Sequence, residues 1–404
     1  GAAYVFVRQG ANWTWQQTLR GDATSASWFG HSVAIDGNTI VVGAPHDFVS
    51  SHYGRAYVFV RTNAIWGKQA TLVGDGVREG FFGGSVAISG NTILVGDCGY
   101  QDTSQLPGLF YVGAAHVFDR SGSTWTWVRK LRASDRYGDD YFGLAVAANG
   151  NTFVVGAPGR AQSSLPKCGA AYAFNRANNW ADTKLQFDWV AGDLFGAAVA
   201  VSTNTMVVGT AAGTAYVFGN PSFAQEQELT PSNPVGQFSS PDSPFQFSGY
   251  TASAVAVSGD VIVVGLLGDD QGGVNAGSAY MYVREGSTWK EKRKLTASDG
   301  AAQDRFGCSV GMSGDTIVVG ASHDDGRTGA AYLFAPGYGD ATNVASYVRR
   351  LLYVPDAAAS RFFNPWDAAF LYKYRLYGMG TNAQGVNTLQ VQFEHVSDYW
   401  PGPN

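Results

Sequence analysis

The sequence predicts an all-β fold, a seven-bladed β-propeller of four-stranded antiparallel blades whose last blade is closed by N- and C-terminal strands. Three observations predict it. A unit of roughly 53 to 60 residues recurs along the chain, and self-similarity at such a period marks an array of one supersecondary unit. Composition is that of strands and tight turns, with 52 Gly, 24 Phe, 20 Tyr and 11 Trp among 404 residues and only 15% charged side chains. A G-x-A-Y-V-F phrase or close variant begins at Gly1, Gly54, Gly113, Gly169, Gly213, Gly277 and Gly329, seven copies of one strand.

Each unit opens with an aromatic-Gly pair leading an apolar run: Phe29-Gly30, Phe82-Gly83, Phe142-Gly143, Phe195-Gly196 and Phe306-Gly307, with a weaker copy at Ser248-Gly249. A β-branched run ending in Gly follows, as in Thr39 to Gly43 and Thr316 to Gly320. Between them sit Gly37-Asn38, Gly90-Asn91, Gly150-Asn151, Gly259-Asp260 and Gly314-Asp315, residues that tolerate the positive φ of tight hairpins. The G-x-A-Y-V-F strand is third, and an aromatic-led alternating segment such as Trp66 to Leu72 is fourth. Four strands make one propeller blade. The first third-and-fourth pair, Gly1 to Arg20, has no first and second strand before it, so Asp367 to Tyr377 and Thr388 to His395 are expected to supply them. The whole chain, 1–404, then forms a single domain with blades near 28–74, 81–135, 141–187, 194–230, 246–297, 305–355, and 361–404 plus 1–20.

Composition also sorts the partners. A net charge of −5, with 27 Lys and Arg scattered along the chain, argues against nucleic acid. No run approaches the roughly 18 apolar residues of a spanning helix. Gly1 falls inside a repeat, which reads as a processed or trimmed start. Cys98, Cys168 and Cys308 lack metal-ligand spacing. Because Cys98 and Cys168 fall in second-to-third strand loops of successive blades, a disulfide between them is a candidate.

The long loops, joining second to third strands and one blade to the next, share one face and form the expected binding face. Its candidate ligand residues are Asp47, Asp102, Asp269, Asp270, Asp324 and Asp325. The paired carboxylates Asp269-Asp270 and Asp324-Asp325 are candidate oxygen ligands for a divalent cation such as calcium. The alternative is solvated turn residues making local Asx turns. No G-x-S-x-G elbow, H-E-x-x-H helix or phosphate loop appears, so the expected function is not enzymatic. Phe29, Phe82, Phe142, Phe195 and Phe306 are expected in the core, and Trp13, Trp66, Trp125, Trp180 and Trp289 to pack near the rim rather than stack on sugars.

The run Leu295-Thr-Ala-Ser-Asp-Gly-Ala-Ala-Gln-Asp-Arg-Phe-Gly307, followed by Gly314-Asp-Thr-Ile-Val-Val-Gly320, resembles the FG-GAP repeat family, which includes the N-terminal head of integrin α subunits. The closer likeness is to microbial and protist FG-GAP surface proteins. The resemblance implies an extracellular or cell-surface location, which the sequon Asn12-Trp13-Thr14, a candidate glycosylation site, also fits. In integrins a D-x-D-x-D-G loop between first and second strands holds calcium. Here that turn is as short as Asp36-Gly37-Asn38, so the integrin calcium site is not carried over and no cofactor is assigned. The expected function is adhesion or binding of a protein or glycan ligand through the long-loop face. The alternatives are a self-associating subunit of an extracellular fibre, sheath or coat, and a glycan-binding lectin.

Overall fold

A computed structural model describes residues 1–9, 12–22, 27–49, 52–75, 80–101, 110–162, 165–187, 190–232, 254–314, 316–334, 349–351, 379–381 and 387–393. The chain is all-β. Among the described residues the only helices are a 3-10 turn, Arg176–Asn178, and the four-residue α1, Asp324–Arg327. No helix there is long and apolar enough to cross a membrane.

After β1 (Ala2–Gln9) and β2 (Asn12–Leu19), the strands fall into consecutive groups of four. Sheet 1 holds β3 (Ser32–Asp36), β4 (Thr39–Val49), β5 (His52–Thr62) and β6 (Ile65–Leu72). Sheet 2 holds β7 (Phe82–Ser89), β8 (Thr92–Asp97), β9 (Ala114–Ser121) and β10 (Thr124–Leu131). Sheet 3 holds β11 (Ala145–Asn149), β12 (Thr152–Ala157), β13 (Ala170–Asn175) and β14 (Asp182–Lys184). Sheet 4 holds β15 (Ala198–Val201), β16 (Thr205–Gly209), β17 (Ala215–Gly219) and β18 (Gln225–Leu229). Sheet 5 holds β19 (Val255–Ser258), β20 (Val261–Leu266), β21 (Ser278–Glu285) and β22 (Thr288–Leu295). Sheet 6 holds β23 (Phe306–Ser313), β24 (Thr316–Ala321), β25 (Ala330–Phe334) and β26 (Arg349–Leu351). Each is an antiparallel meander in chain order.

The last group mixes the chain ends. β27 (Met379–Thr381) pairs with β28 (Asn387–Phe393), and β28 pairs antiparallel with β1 from Ala2↔Phe393 to Val7↔Thr388. This sheet 7 runs β2-β1-β28-β27. The expected strand at Thr388 to His395 is thus β28, whereas Asp367 to Tyr377 lies outside the described residues.

The core lies between sheets. One apolar cluster separates each consecutive pair; Phe82 and Val86 of sheet 2, for example, pack on Val41 and Val58 of sheet 1. Sheet 7 takes part twice: Val5 and Leu19 pack with Val33 and Ile40 of sheet 1, and Phe6 with Val318 and Leu333 of sheet 6. The aromatic-Gly phenylalanines are buried as expected, from Phe142 and Phe195 at 0% to Phe29, Phe82 and Phe306 at 1% exposure. Each meets its own G-x-A-Y-V-F strand in one arrangement. Phe142, for instance, lies 5.7 Å from Tyr172 and 6.0 Å edge-on from Phe174, a geometry that favours the ring quadrupoles.

Backbones touch at the seam between sheets. Single parallel bridges join Gly54 to Phe82, Gly113 to Phe142, Gly169 to Phe195 and Gly277 to Phe306. At the seam of sheets 2 and 3, Gly143 has φ +90° and a Cβ there would sit 2.2 Å from the carbonyl oxygen of Ala114. A Cβ on Gly96 would sit 2.1 Å from the carbonyl oxygen of Gly143, to which Ser85 Oγ donates a 2.7 Å hydrogen bond. Only glycine allows that approach.

Outer strands are clasped by side chains. Gln17 Nε2 donates to the Trp66 carbonyl at 2.8 Å while Trp66 N donates to Gln17 Oε1 at 2.9 Å, and Gln227 repeats both bonds with Trp289. The rim tryptophans are covered as expected: Arg61, Arg120, Arg176 and Arg284 lie over Trp66, Trp125, Trp180 and Trp289 at 4.8 to 5.9 Å, and Trp13 packs in the cluster between sheets 6 and 7.

The seam predicts that two glycine substitutions, both at positive φ, differ in cost. Gly143→Ala should lose roughly 3 kcal/mol or more, from strain and backbone collision. Gly150→Ala, in a hairpin at φ +55° with nothing within 4 Å of its Cβ, should lose only about 1 kcal/mol. Urea denaturation of both variants measures this; equal losses would show that the seam does not limit stability.

Candidate functional site

In sheets 1, 3, 5 and 6 the tyrosine of G-x-A-Y-V-F carries its hydroxyl to the loop end, where burial demands a partner. In sheet 1, Tyr57 donates to Asp47 and accepts from Asp22 N at 3.3 Å, and Lys68 ion-pairs with Asp22. In sheet 3, Tyr172 donates to Asp135 Oδ1 at 2.6 Å and Lys184 Nζ lies 2.8 Å from Asp135 Oδ2. Sheet 5 places Asp269 Oδ2 at 2.5 Å from Lys294 Nζ, 2.6 Å from Ser278 Oγ and 3.2 Å from Tyr280 OH. Tyr332 of sheet 6 reaches Asp324, and Asp299 at 2.7 Å.

Titration behaviour follows from this packing. Burial alone would raise the Asp269 carboxyl, but bonds from Lys294, Ser278 and the Gln271 amide outweigh it and hold the group below its ordinary value. At Asp135, burial is likewise outweighed by Lys184, Tyr172 and Arg160. Burial raises the phenols, then their carboxylate acceptors add to it: Tyr57 is pushed up to about 12, and Tyr172 and Tyr332 rise further. These groups are acid-tuned structural contacts.

That assignment corrects part of the expected ligand face. Asp47, Asp269 and Asp324 are 0%, 1% and 4% exposed and bind their own scaffold, while Asp270 and Asp325 are exposed. Asp102 lies outside the described residues. The expected chelating pairs are therefore split: Asp269 turns inward to Lys294, and Asp270 Oδ1 accepts the Asn275 amide at 2.7 Å. Among the described residues, no three His, Cys, Asp or Glu side chains are grouped as metal ligands. Nor are Cys98 and Cys168 joined; both are buried free thiols. Cys98 packs with Tyr141 and Leu144, and Cys168 Sγ approaches the Arg160 carbonyl at 3.5 Å. Asn12 opens β2 at the β1–β2 hairpin, and its side chain is outside the described residues.

Sheet 2 replaces the tyrosine by His116. Its carboxylates are Asp97 and Asp75, and Lys130 Nζ lies 2.5 Å from Asp75. Burial pushes Asp97 up to about 7, against the opposing pull of the Phe81 amide and Lys130. Burial takes His116 down to about 4.

Sequence reasoning missed the residues just before the aromatic-Gly pairs. Trp28, Tyr141, Leu194 and Arg305 all hold positive φ, from 53° to 57°, a strained conformation for bulky side chains that concentrates at functional sites. Trp28 stacks on His46 at 3.5 Å, and His46 lies 5.5 Å from Phe81. Phe81 and Tyr111 then pack on Tyr141. An aromatic arc thus crosses sheets 1 to 3. Asp22, Asp75, Asp135 and Asp299 are exposed on the loops yet bound to scaffold lysines or tyrosines, and Asp139, Asp270 and Asp325 are exposed as well.

Compared with known proteins, the chain matches a family model described as the FG-GAP repeat at residues 13–59, 66–118, 125–174 and 289–334. No curated protein matches it.

Two predictions follow from the loop acids. Asp269→Ala removes the buried carboxylate shared by Lys294, Ser278 and Tyr280 and should cost about 3 kcal/mol of unfolding free energy, whereas Asp270→Ala should stay within about 1 kcal/mol; chemical denaturation distinguishes them. For Asp97, the folded pKa lies above the unfolded one, so its contribution is fully present below the ordinary carboxylate range and is lost as pH rises through about 7. The thermal midpoint of the natural chain should therefore fall relative to Asp97→Asn as pH rises from about 4 to about 7, and level off above that. Parallel curves would refute that assignment.

Proposed function

Since this chain carries FG-GAP repeats, we propose that it is a closed seven-bladed β-propeller acting outside the cell as a non-enzymatic module that binds another macromolecule through its loop face. Closure is supported by sheet 7, whose strands come from both chain ends and whose residues pack on sheets 6 and 1. It is also supported by contacts between the first strands of neighbouring sheets, including β23 with β27 and β27 with β3.

One observation carries the binding reading: on the same loops buried Asp269 and Asp324 hold the scaffold while their neighbours Asp270 and Asp325 present carboxylates to solvent, and an aromatic arc crosses sheets 1 to 3. Function gathers on loops positioned by rigid elements. The partner is a protein or glycan of the cell exterior. A second reading, a subunit of an extracellular fibre, sheath or coat, draws on the exposed Trp15, Ile65, Trp127 and Val128 of outer strands β2, β6 and β10.

Labelled chain should bind saturably to members of arrays of extracellular proteins or glycans. The Asp270→Asn/Asp325→Asn double variant should weaken that binding at least about tenfold without changing the thermal midpoint. Repeating the titration in EDTA tests whether a cation takes part. No saturable ligand, together with light-scattering masses far above the 42.9 kDa monomer, would replace the binding reading by assembly.

A further inference from the structure

Sheet 2 departs from the tyrosine rule in a way that gives it a property the other sheets lack. The Trp127 indole N–H, which can only donate, reaches His116 Nδ1 at 3.3 Å. Nδ1 is therefore the acceptor, and the ring hydrogen of the neutral imidazole is on Nε2. Nε2 faces Asp97 Oδ2 at 3.9 Å, beyond hydrogen-bond range. Among the described residues neither atom has a hydrogen-bond partner, and the two side chains are 0% and 1% exposed. The other oxygen of Asp97 is occupied: Oδ1 accepts the Phe81 amide at 2.8 Å.

Among the described residues, charged and titratable groups from three neighbouring segments lie near the pair. Asp75, in the loop before β7, has Oδ1 at 3.9 Å from His116 Nδ1. Lys130 on β10 binds Asp75 and donates to Tyr100 OH at 2.8 Å, and Arg132 beyond β10 donates to the same hydroxyl at 3.1 Å. The rings of Phe82 and Tyr100 close the pocket edge-on at 5.3 and 6.4 Å from the imidazole.

We propose that Asp97 and His116 form a proton-operated latch that sets the position of Phe81 in the aromatic arc. With Asp97 protonated, the carboxyl hydrogen and the Nε2 hydrogen confront each other and the gap stays open. Loss of the Asp97 proton to solvent turns Oδ2 into an acceptor for Nε2–H, and the gap closes by about 1 Å to an ordinary hydrogen bond. Oδ1 moves with it, drawing the Phe81 backbone. Phe81 sits between His46, 5.5 Å away, and the Tyr141 cluster, so the middle of the arc shifts with protonation. Burial supports this assignment of roles: it keeps the imidazole neutral down to about 4 and brings the carboxyl to about 7, so Asp97 is the group that titrates near neutrality.

The test needs no ligand, so it is independent of what the loop face binds. In the full chain labelled with 15N-Phe and 15N-Trp, the Phe81 amide and the Trp127 indole N–H signals are followed from about pH 5.5 to pH 8.5. Both should shift with a common midpoint near 7, and both should be flat in Asp97→Asn. His116→Tyr, which installs the phenol of the other sheets as a donor to Asp97, should abolish the Phe81 transition in that window as well, and serves if the first variant does not fold. A flat Phe81 amide in the natural chain, or a Phe81 transition that survives either substitution, overturns the latch.

Discussion

Close backbone approach at the seams between sheets is the constraint on which the rest of the molecule depends. At the seam of sheets 2 and 3, Gly96 and Gly143 are packed against carbonyl oxygens at distances no side chain could occupy. That contact sets the distance between sheets, and the distance sets what fills it. At the head of the first strand in sheets 1, 2, 3, 4 and 6 a phenylalanine meets the phenylalanine of the third and the tyrosine beside it, or His116 in sheet 2, and this group of rings recurs from sheet to sheet. Among the described residues the apolar clusters lie between neighbouring sheets, so stability is a sum of similar interfaces, as in other repeat arrays.

The polar layer follows from the same geometry. Tyrosines fixed by the core carry hydroxyls to the loop end, where a buried phenol without a partner would be costly. Carboxylates and lysines therefore converge on them, and the loops gain fixed anchor points. The result is a face on which the acids that look most available in the sequence are often the least accessible. Asp269 and Asp270 are neighbours in the chain, yet one is 1% exposed in a network with Lys294 while the other is open to solvent.

Much of the scaffold was legible because it rests on hard sterics. Phe142-Gly143 and Gly113 are recognisable since no other residue meets the backbone requirement, and Gly150 marks its hairpin for the same reason. The division of the acids was not read, although a signal was present: Asp22, Asp75, Asp135 and Asp299 each stand seven residues before the phenylalanine of the next aromatic-Gly pair. Such regularity is what a structural partner shows and a variable binding loop does not. The aromatic arc was harder to foresee, because it depends on positive φ at Trp28 and Tyr141, residue types that rarely adopt it. The strand expected at Asp367 to Tyr377 and the tail beyond β28 fall outside the described residues, so the sequence pattern there is the only guide to them.

Pairing of β1 with β28 brings together segments separated by almost the whole chain. During synthesis β1 is made well before β28, and one of its edges is without its final neighbour until β28 emerges. Contacts of such long range are slow to form, because the closure entropy of the intervening chain is met before they reward it. Sheets 1 to 6 can assemble from local hairpins in the order they are translated, which leaves the junction of the two ends as the final committed step. Folding quality control would then act chiefly on one event, the docking of β28 beside β1.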